Sequence, residues 1–532
     1  MKKLPKGIST FSEIIENNYI YVDKTEYIYK MFSTGKLYFL SRPRRFGKSL
    51  LISTLEELFK GNKKLFKGLY IYDKWDWDKN YPIIRLDFGN LSHKNPEQLE
   101  KSFKDFINKK ARENSLEIIS KTLTSMFAEL IEEIYKKFDS KVVVLIDEYD
   151  KAISSHLDDM EIAKNNRDTL REFYQVLKGS DQYLEFLFIT GITKFAKTSI
   201  FSDLNNIDDL TIHPRYSKIC GYTQEELEYY FKEYILKISE LNSENREELI
   251  NSIKNWYDGY SWDGANFLYN PYSILKFLDT GKLANYWADS GTPKLLVDLI
   301  KKGNLDTEVL IRRKSEFSGT FPNFELENLD FATILLQTGY FTIKNEKITP
   351  YKPSLYTTAI PNKEVEESLF SYILGTYTNY SAEKIEPMTK KMLKHIIQCD
   401  EANLQKSFEI LLYKIPNILY GEIKQELEAY YKILAISWIQ LLGFDIEGEI
   451  MSIKGRLDAI LKHEDLILII EFKFSEKKSF DSMLNEANNQ ILDKKYYKPY
   501  QDKNVLILTV AFKPRDVKCQ IKTLYELLND YK

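Results

Sequence analysis

Ten residues, Lys141 to Asp150 (KVVVLIDEYD), constrain this chain more than any other stretch: an unbroken apolar, β-branched run that ends in carboxylates. A strand with one wet face alternates apolar and polar residues. A run that is apolar at every position suits a strand buried on both faces, as in a parallel sheet covered by helices. Such a sheet collects its ligands at the carboxyl edge of the strands. At that edge Asp147 can hold the Mg²⁺ shell, and Glu148 beside it can polarise water for attack on a γ-phosphate. Two more strand candidates lie before and after it, Pro82 to Gly89 (PIIRLDFG) and Glu185 to Gly191 (EFLFITG), with Thr190 placed to sense that phosphate.

Upstream, Ser41 to Ser49 reads SRPRRFGKS between a short apolar segment, Leu37 to Leu40, and an apolar-periodic stretch, Leu50 to Phe59. Strand, loop and helix joined at Gly-Lys-Ser make most of a phosphate-binding loop. In such a loop backbone N–H groups point at phosphate oxygens, the Lys reaches the outer phosphates and the hydroxyl holds Mg²⁺. Lys48 and Ser49 take those two roles. Arg44, Arg45, Phe46, Gly47 and Leu50 complete the expected nucleotide contacts, the two arginines adding charge. The usual pattern begins with Gly where this chain has Arg42.

Near the other end, Gly455 to Glu476 (GRLDAILKHEDLILIIEFKFSE) alternates, turns at His463 to Asp465 and enters a strongly apolar strand that ends Glu471-Phe472-Lys473. Alternation along a strand sets Glu471 and Lys473 on one face and Phe472 on the other, with Asp458 on the preceding strand beside them. Two carboxylates can bind a hard cation such as Mg²⁺, and the Lys can orient the attacking water. Glu428, in the amphipathic stretch Leu427 to Gly443, is a further candidate metal ligand. Gln490, in Asn485 to Tyr500, falls in the helix after the Lys strand. This E…GR-x-D…E-F-K…Q pattern resembles the PD-(D/E)XK nucleases.

Residues from about Pro5 to Tyr216 resemble the bacterial and archaeal AAA-ATPase-like family whose loop carries an xRPRRFGK[ST] variant. The segments that carry the likeness are FSEIIENNYIYVDKTEYI (Phe11 to Ile28), SRPRRFGKSL, LIDEYDKAI and TGITKFAKTSIFSDLNNIDDLT (Thr190 to Thr211). WYDGYSWDG (Trp256 to Gly264), YNPYSIL (Tyr269 to Leu275) and LLQTGYFTI (Leu335 to Ile343) extend it. The resemblance implies that Arg42 belongs to the family's loop, and that a nucleotide-binding domain is fused to a nuclease-like one.

Bulk properties set limits. The chain has 532 residues, room for several cores, with 43% hydrophobic and 29% charged residues, ordinary for a globular protein. A net charge of −3 gives no overall electrostatic footprint for nucleic acid, so any such contact is local. Basic residues cluster at Arg42 to Arg45, Arg312 to Lys314, Lys390 to Lys394 and Lys494 to Lys498, the last interleaved with Tyr496 and Tyr497. Cys220, Cys399 and Cys519 show no zinc or disulfide spacing, and the five histidines support no Ser/His/Asp triad. No signal peptide or membrane-length apolar run is present, so a cytoplasmic location is expected. The aromatics of Trp256 to Tyr272 read as core anchors rather than a ligand cage.

The expected architecture is α/β: a P-loop NTPase parallel sheet over residues 1–215, a helical lid over 216–325, a winged-helix-like region over 326–410 and a PD-(D/E)XK nuclease-like α/β domain over 411–532. The expected function is an ATP-binding ATPase coupled to a metal-dependent nuclease acting on DNA or RNA, in the manner of defence or mobile-element fusions. Its cofactors are ATP and Mg²⁺, with Mn²⁺ an alternative at the nuclease-like site, and its partners are ATP and nucleic acid; oligomerisation is left open. The competing expectation is a nucleotide-dependent switch or scaffold whose nuclease-like domain is inactive and only binds nucleic acid or a protein.

Overall fold

The structure is a computed structural model that describes residues 1–195, 206–289, 309–310, 313–323, 326, 330–378, 380, 382–413, 427–442, 451–452, 457–463, 465–514 and 516–530. It divides into two compact units, one of Met1–Leu296 with Glu316–Val365, the other of Val297–Ser315 with Glu366–Lys532.

In the first unit the strands β1 (Leu37–Ser41), β2 (Ile83–Asp87), β3 (Val142–Asp147), β4 (Leu184–Gly191) and the short β5 (Asp208–Asp209) form one sheet in the order β2-β3-β4-β1-β5. Every pairing in it is parallel. β1 and β3 are buried at every position, as their uninterrupted apolar runs require. Parallel strands need crossovers, and three amphipathic helices with polar N-caps flank β3. Pro96–Glu113 starts at Asn95 and buries Leu99, Phe103, Ile107 and Ala111. Leu123–Phe138 starts at Thr122, and Met160–Gly179 at Asp159. Phe173 of the last stacks between Phe103 and Phe127, each ring 4.3 Å away. The sheet order puts β4 between the loop strand β1 and the acidic strand β3, so all three end side by side.

A three-stranded sheet is formed by β6 (Lys314–Ser318), β7 (Thr342–Lys347) and β8 (Leu355–Ala359), in the order β6-β8-β7, with β7 and β8 in the first unit. The helix Phe331–Thr338 precedes β7 and ends at Gly339, whose φ of 92° suits a residue without a side chain. The helix Lys363–Thr378 follows β8 in the chain.

The second unit is built on β9 (Met451–Ser452), β10 (Leu457–His463), β11 (Leu466–Phe474), β12 (Asn504–Lys513) and β13 (Asp516–Thr523), in the order β13-β12-β11-β10-β9. β11 and β12 run parallel, joined by the helix Phe480–Lys494, and the other pairings are antiparallel. Among the described residues no helix is long and apolar enough to cross a membrane. The overall class is α/β, as the strand pattern predicts.

Candidate active sites

The loop after β1 leads directly into the helix Lys48–Phe59. Arg45 (φ 69°) and Gly47 (φ 91°) both take the left-handed backbone conformation, which curls the loop into a concave turn of the kind that binds anions. Arg45 is not a glycine and accepts strain there, with its guanidinium 4.9 Å from the Tyr272 ring centre. The Phe46 ring is buried edge-on against Tyr260 and Trp262, which leaves its backbone as the part available to a phosphate. Lys48 Nζ donates to the carbonyls of Arg42 (2.8 Å) and Pro43 (2.9 Å). Burial pushes its pKa down, against the pull of Asp147 and Asp150. Ser49 and Leu50 occupy the first turn of that helix.

Arg42 does not reach toward the helix. Its Nη1 donates to Ser41 O and Thr211 O, both at 2.8 Å, and Nη2 donates to Tyr216 O at 3.3 Å. The side chain is fully buried, and desolvation pushes its pKa down to about 10. Where the common pattern places a Gly, this chain places a cation that ties loop, sheet edge and the Trp262 segment together.

At the sheet edge Thr190 Oγ1 donates to Asp147 Oδ1 at 2.7 Å, and both side chains are buried. Glu148 has a φ of 53°, a conformation that costs a non-glycine residue about 1–2 kcal/mol and so marks a position held by its surroundings. Its carboxylate accepts from Lys151 Nζ at 2.8 Å. Two acidic residues that sequence reasoning passed over stand nearby. Asp87, paired in register with Asp147, has its pKa raised by burial and by the charges of Asp147 and Glu148. Asp150 is buried and accepts from Thr193 N (2.7 Å), Thr193 Oγ1 (2.5 Å) and Ile192 N (3.1 Å), fastening the end of β3 to the end of β4.

In the second unit the β10–β11 register sets Asp458 directly opposite Glu471. Opposed positions share one face of a sheet. Glu471 is fully buried; its Oε1 accepts from Lys473 Nζ, which also donates to Gln490 Oε1 at 2.7 Å. Glu471 Oε2 has no hydrogen-bond partner. Gln490 comes from the helix Phe480–Lys494 and is itself buried. Glu428 lies in the first turn of the helix Leu427–Leu441; the side chains of Glu428 and Asp458 fall outside the described residues. Among the described residues no three His, Cys, Asp or Glu side chains converge as a metal cage. What the described residues do show is a buried carboxylate with one oxygen held by a lysine and the other unused, which fits a cation ligand.

A family model for a predicted AAA-ATPase matches residues 5–201, and one for the PD-(D/E)XK nuclease superfamily matches residues 426–523. A protein of Azotobacter chroococcum mcd 1, described as "Uncharacterized protein in vnfD 5'region", is 34% identical over 531 residues, which span 99% of each chain. The chain belongs to the AAA-ATPase-like family with a C-terminal PD-(D/E)XK domain.

In this AAA-ATPase-like chain the structure brings Lys48, Asp147, Glu148 and Thr190 to neighbouring strand ends, and Glu471, Lys473 and Gln490 into one hydrogen-bonded group. Arg42, Asp87 and Asp150 are the residues the sequence left unassigned. A signal for Asp150 was available, since it follows the acidic end of β3 by three residues; nothing local marks Arg42 as buried, because its distant partners lie about 170 and 220 residues further along.

Proposed function

We propose that the first unit binds and hydrolyses ATP, and that the second cleaves a nucleic-acid phosphodiester with a divalent cation, the nucleotide state governing access to the second site. The observation that carries the nuclease reading is the fully buried Glu471, with one oxygen bound to Lys473, the other unpaired, and Asp458 opposite it in register.

At the first site, binding a triphosphate lets Lys48 exchange two loop carbonyls for phosphate oxygens. Ser49 and Asp147 would hold the Mg²⁺ that accompanies the nucleotide, and Thr190, bonded to Asp147, would meet the γ-phosphate. Glu148 accepts the proton of a water whose oxygen bonds to the γ-phosphorus while the bond to the β,γ-bridging oxygen breaks, releasing ADP and phosphate. Arg44 and Arg45 contribute charge at the mouth of the loop.

At the second site Asp458 and Glu471, with Glu428, would hold Mg²⁺ or Mn²⁺. When bound, the cation supplies charge neutralisation at phosphorus and a more acidic water. Lys473 orients that water, and Gln490 fixes Lys473 so that its ammonium stays on the Glu471 side. The test is cleavage of single- and double-stranded DNA and RNA in Mg²⁺ or Mn²⁺, with and without ATP, by wild type and Asp458→Ala. Cleavage by wild type alone supports the reading. Equal cleavage by both, or none by either, removes it and leaves a nucleotide switch with a binding-only domain.

A further inference from the structure

On β12 the residue in register with Glu471 is Thr509, whose partner on β13 is Gln520. With Asp458 opposite Glu471 on β10, four adjacent strands carry Asp458, Glu471, Thr509 and Gln520 in one cross-strand row. On the same face one neighbouring row contains Ile469 and Ile507, both buried, and the other contains Lys473 and Ala511, so the polar row borders apolar interior on one side and Lys473 on the other.

Gln520 is satisfied: its Oε1 accepts from Asn488 Nδ2 at 3.0 Å. Thr509 is not. It is 1% exposed, and its Oγ1 has no hydrogen-bond partner, the same condition as Glu471 Oε2 beside it. Buried polar atoms are overwhelmingly paired, because leaving one unpaired forfeits its hydration. Valine would fill nearly the same volume, suit a strand equally well and carry no hydroxyl. Two adjacent strands thus place an unused carboxylate oxygen and an unused hydroxyl side by side in the same interior.

We infer that Thr509 is a positioning residue of the cation site: Glu471 Oε2 ligates a hydrated divalent cation, and the Thr509 hydroxyl, which can both donate and accept, holds a water of its shell. This rests on the PD-(D/E)XK reading given above. It adds to Asp458, Glu471 and Lys473 a residue on a strand outside that motif.

The test is Mn²⁺ titration by calorimetry on the full chain without nucleotide, alongside thermal melting in EDTA. Thr509→Val is expected to weaken Mn²⁺ binding about tenfold, the scale of losses when groups behind a metal's ligands are removed, while melting no lower than wild type in EDTA. Thr509→Ser is expected to bind as wild type. Should the valine variant not fold, Thr509→Ala against Thr509→Ser isolates the same hydroxyl. If Thr509→Val, or Ala in its place, binds Mn²⁺ as wild type does while Glu471→Gln loses it, the role of Thr509 is overturned and the cation site stands. If wild type binds no Mn²⁺, the cation site falls, and this inference with it.

Discussion

The guanidinium carbon of Arg42 lies 4.1 Å from the centre of the Trp262 indole, and among the described residues no carboxylate is ion-paired with it. A buried guanidinium without a counter-ion is costly. Three carbonyl acceptors and an aromatic face offset that cost, since Arg is weakly hydrated for a cation and stacks well on aromatic rings. The phosphate loop therefore stands on a floor built from residues far along the chain.

Removing that floor should be felt first in stability. Trp262→Ala takes away a buried aromatic and strips one face of the guanidinium, so a loss of about 3–5 kcal/mol is expected in urea unfolding. Trp262→Phe keeps a ring and should lose less than half as much. Equal losses for the two would show that the ring face does not matter to Arg42.

Glu148→Gln preserves shape but cannot accept a proton. Nucleotide affinity should stay within a few-fold of wild type while turnover drops about a hundredfold or more, the range general-base removal spans. Turnover close to wild type would move the base elsewhere.

In the second unit, Lys473→Met leaves the Glu471 carboxylate buried with neither oxygen paired to a cation, and breaking such a pair from one side costs about 3–5 kcal/mol. Glu471→Gln combined with Lys473→Met removes both charges and should recover most of that loss. A double variant no more stable than Lys473→Met alone would mean the pair contributes little to folding.

Lys344 on β7 donates to Gly259 O and Pro361 O, and burial pushes its pKa down to about 8 despite the nearby Asp258 carboxylate. Between that value and the lysine pKa of about 10.4 in the unfolded chain, the unfolded state binds the extra proton. Folding stability therefore rises with pH through this window, and the contribution is lost as pH falls through the folded pKa. Chemical unfolding from pH 7 to 10 should show wild type gaining up to about 3 kcal/mol relative to Lys344→Met. Parallel profiles for the two would rule this out.

How far the chain could be read without coordinates depended on the range of the interactions. Val142 to Ile146 announced its own double burial, because every residue in it is apolar, and the β10–β11 hairpin announced its face through alternation. Both signals are local. The insertion of β4 between β1 and β3 is not, since the order of parallel strands is decided by how the crossover helices pack. Arg42 looked like a loop cation because sequence neighbours are all a motif can see; its acceptors at Thr211 and Tyr216 and its ring at Trp262 are tertiary. Thr509 was invisible for the opposite reason: a threonine in an apolar strand is so ordinary that only its missing hydrogen bond distinguishes it.

Gly339 closes against the loop from another side: a Cβ built on it would come within 2.7 Å of Pro43. Trp262 and Gly339 both lie beyond the 5–201 span that defines the ATPase match. Anyone cutting the gene at that boundary to obtain a minimal nucleotide-binding fragment would discard the scaffolding beneath the phosphate grip, and expression trials are better started from a truncation that ends after Val365.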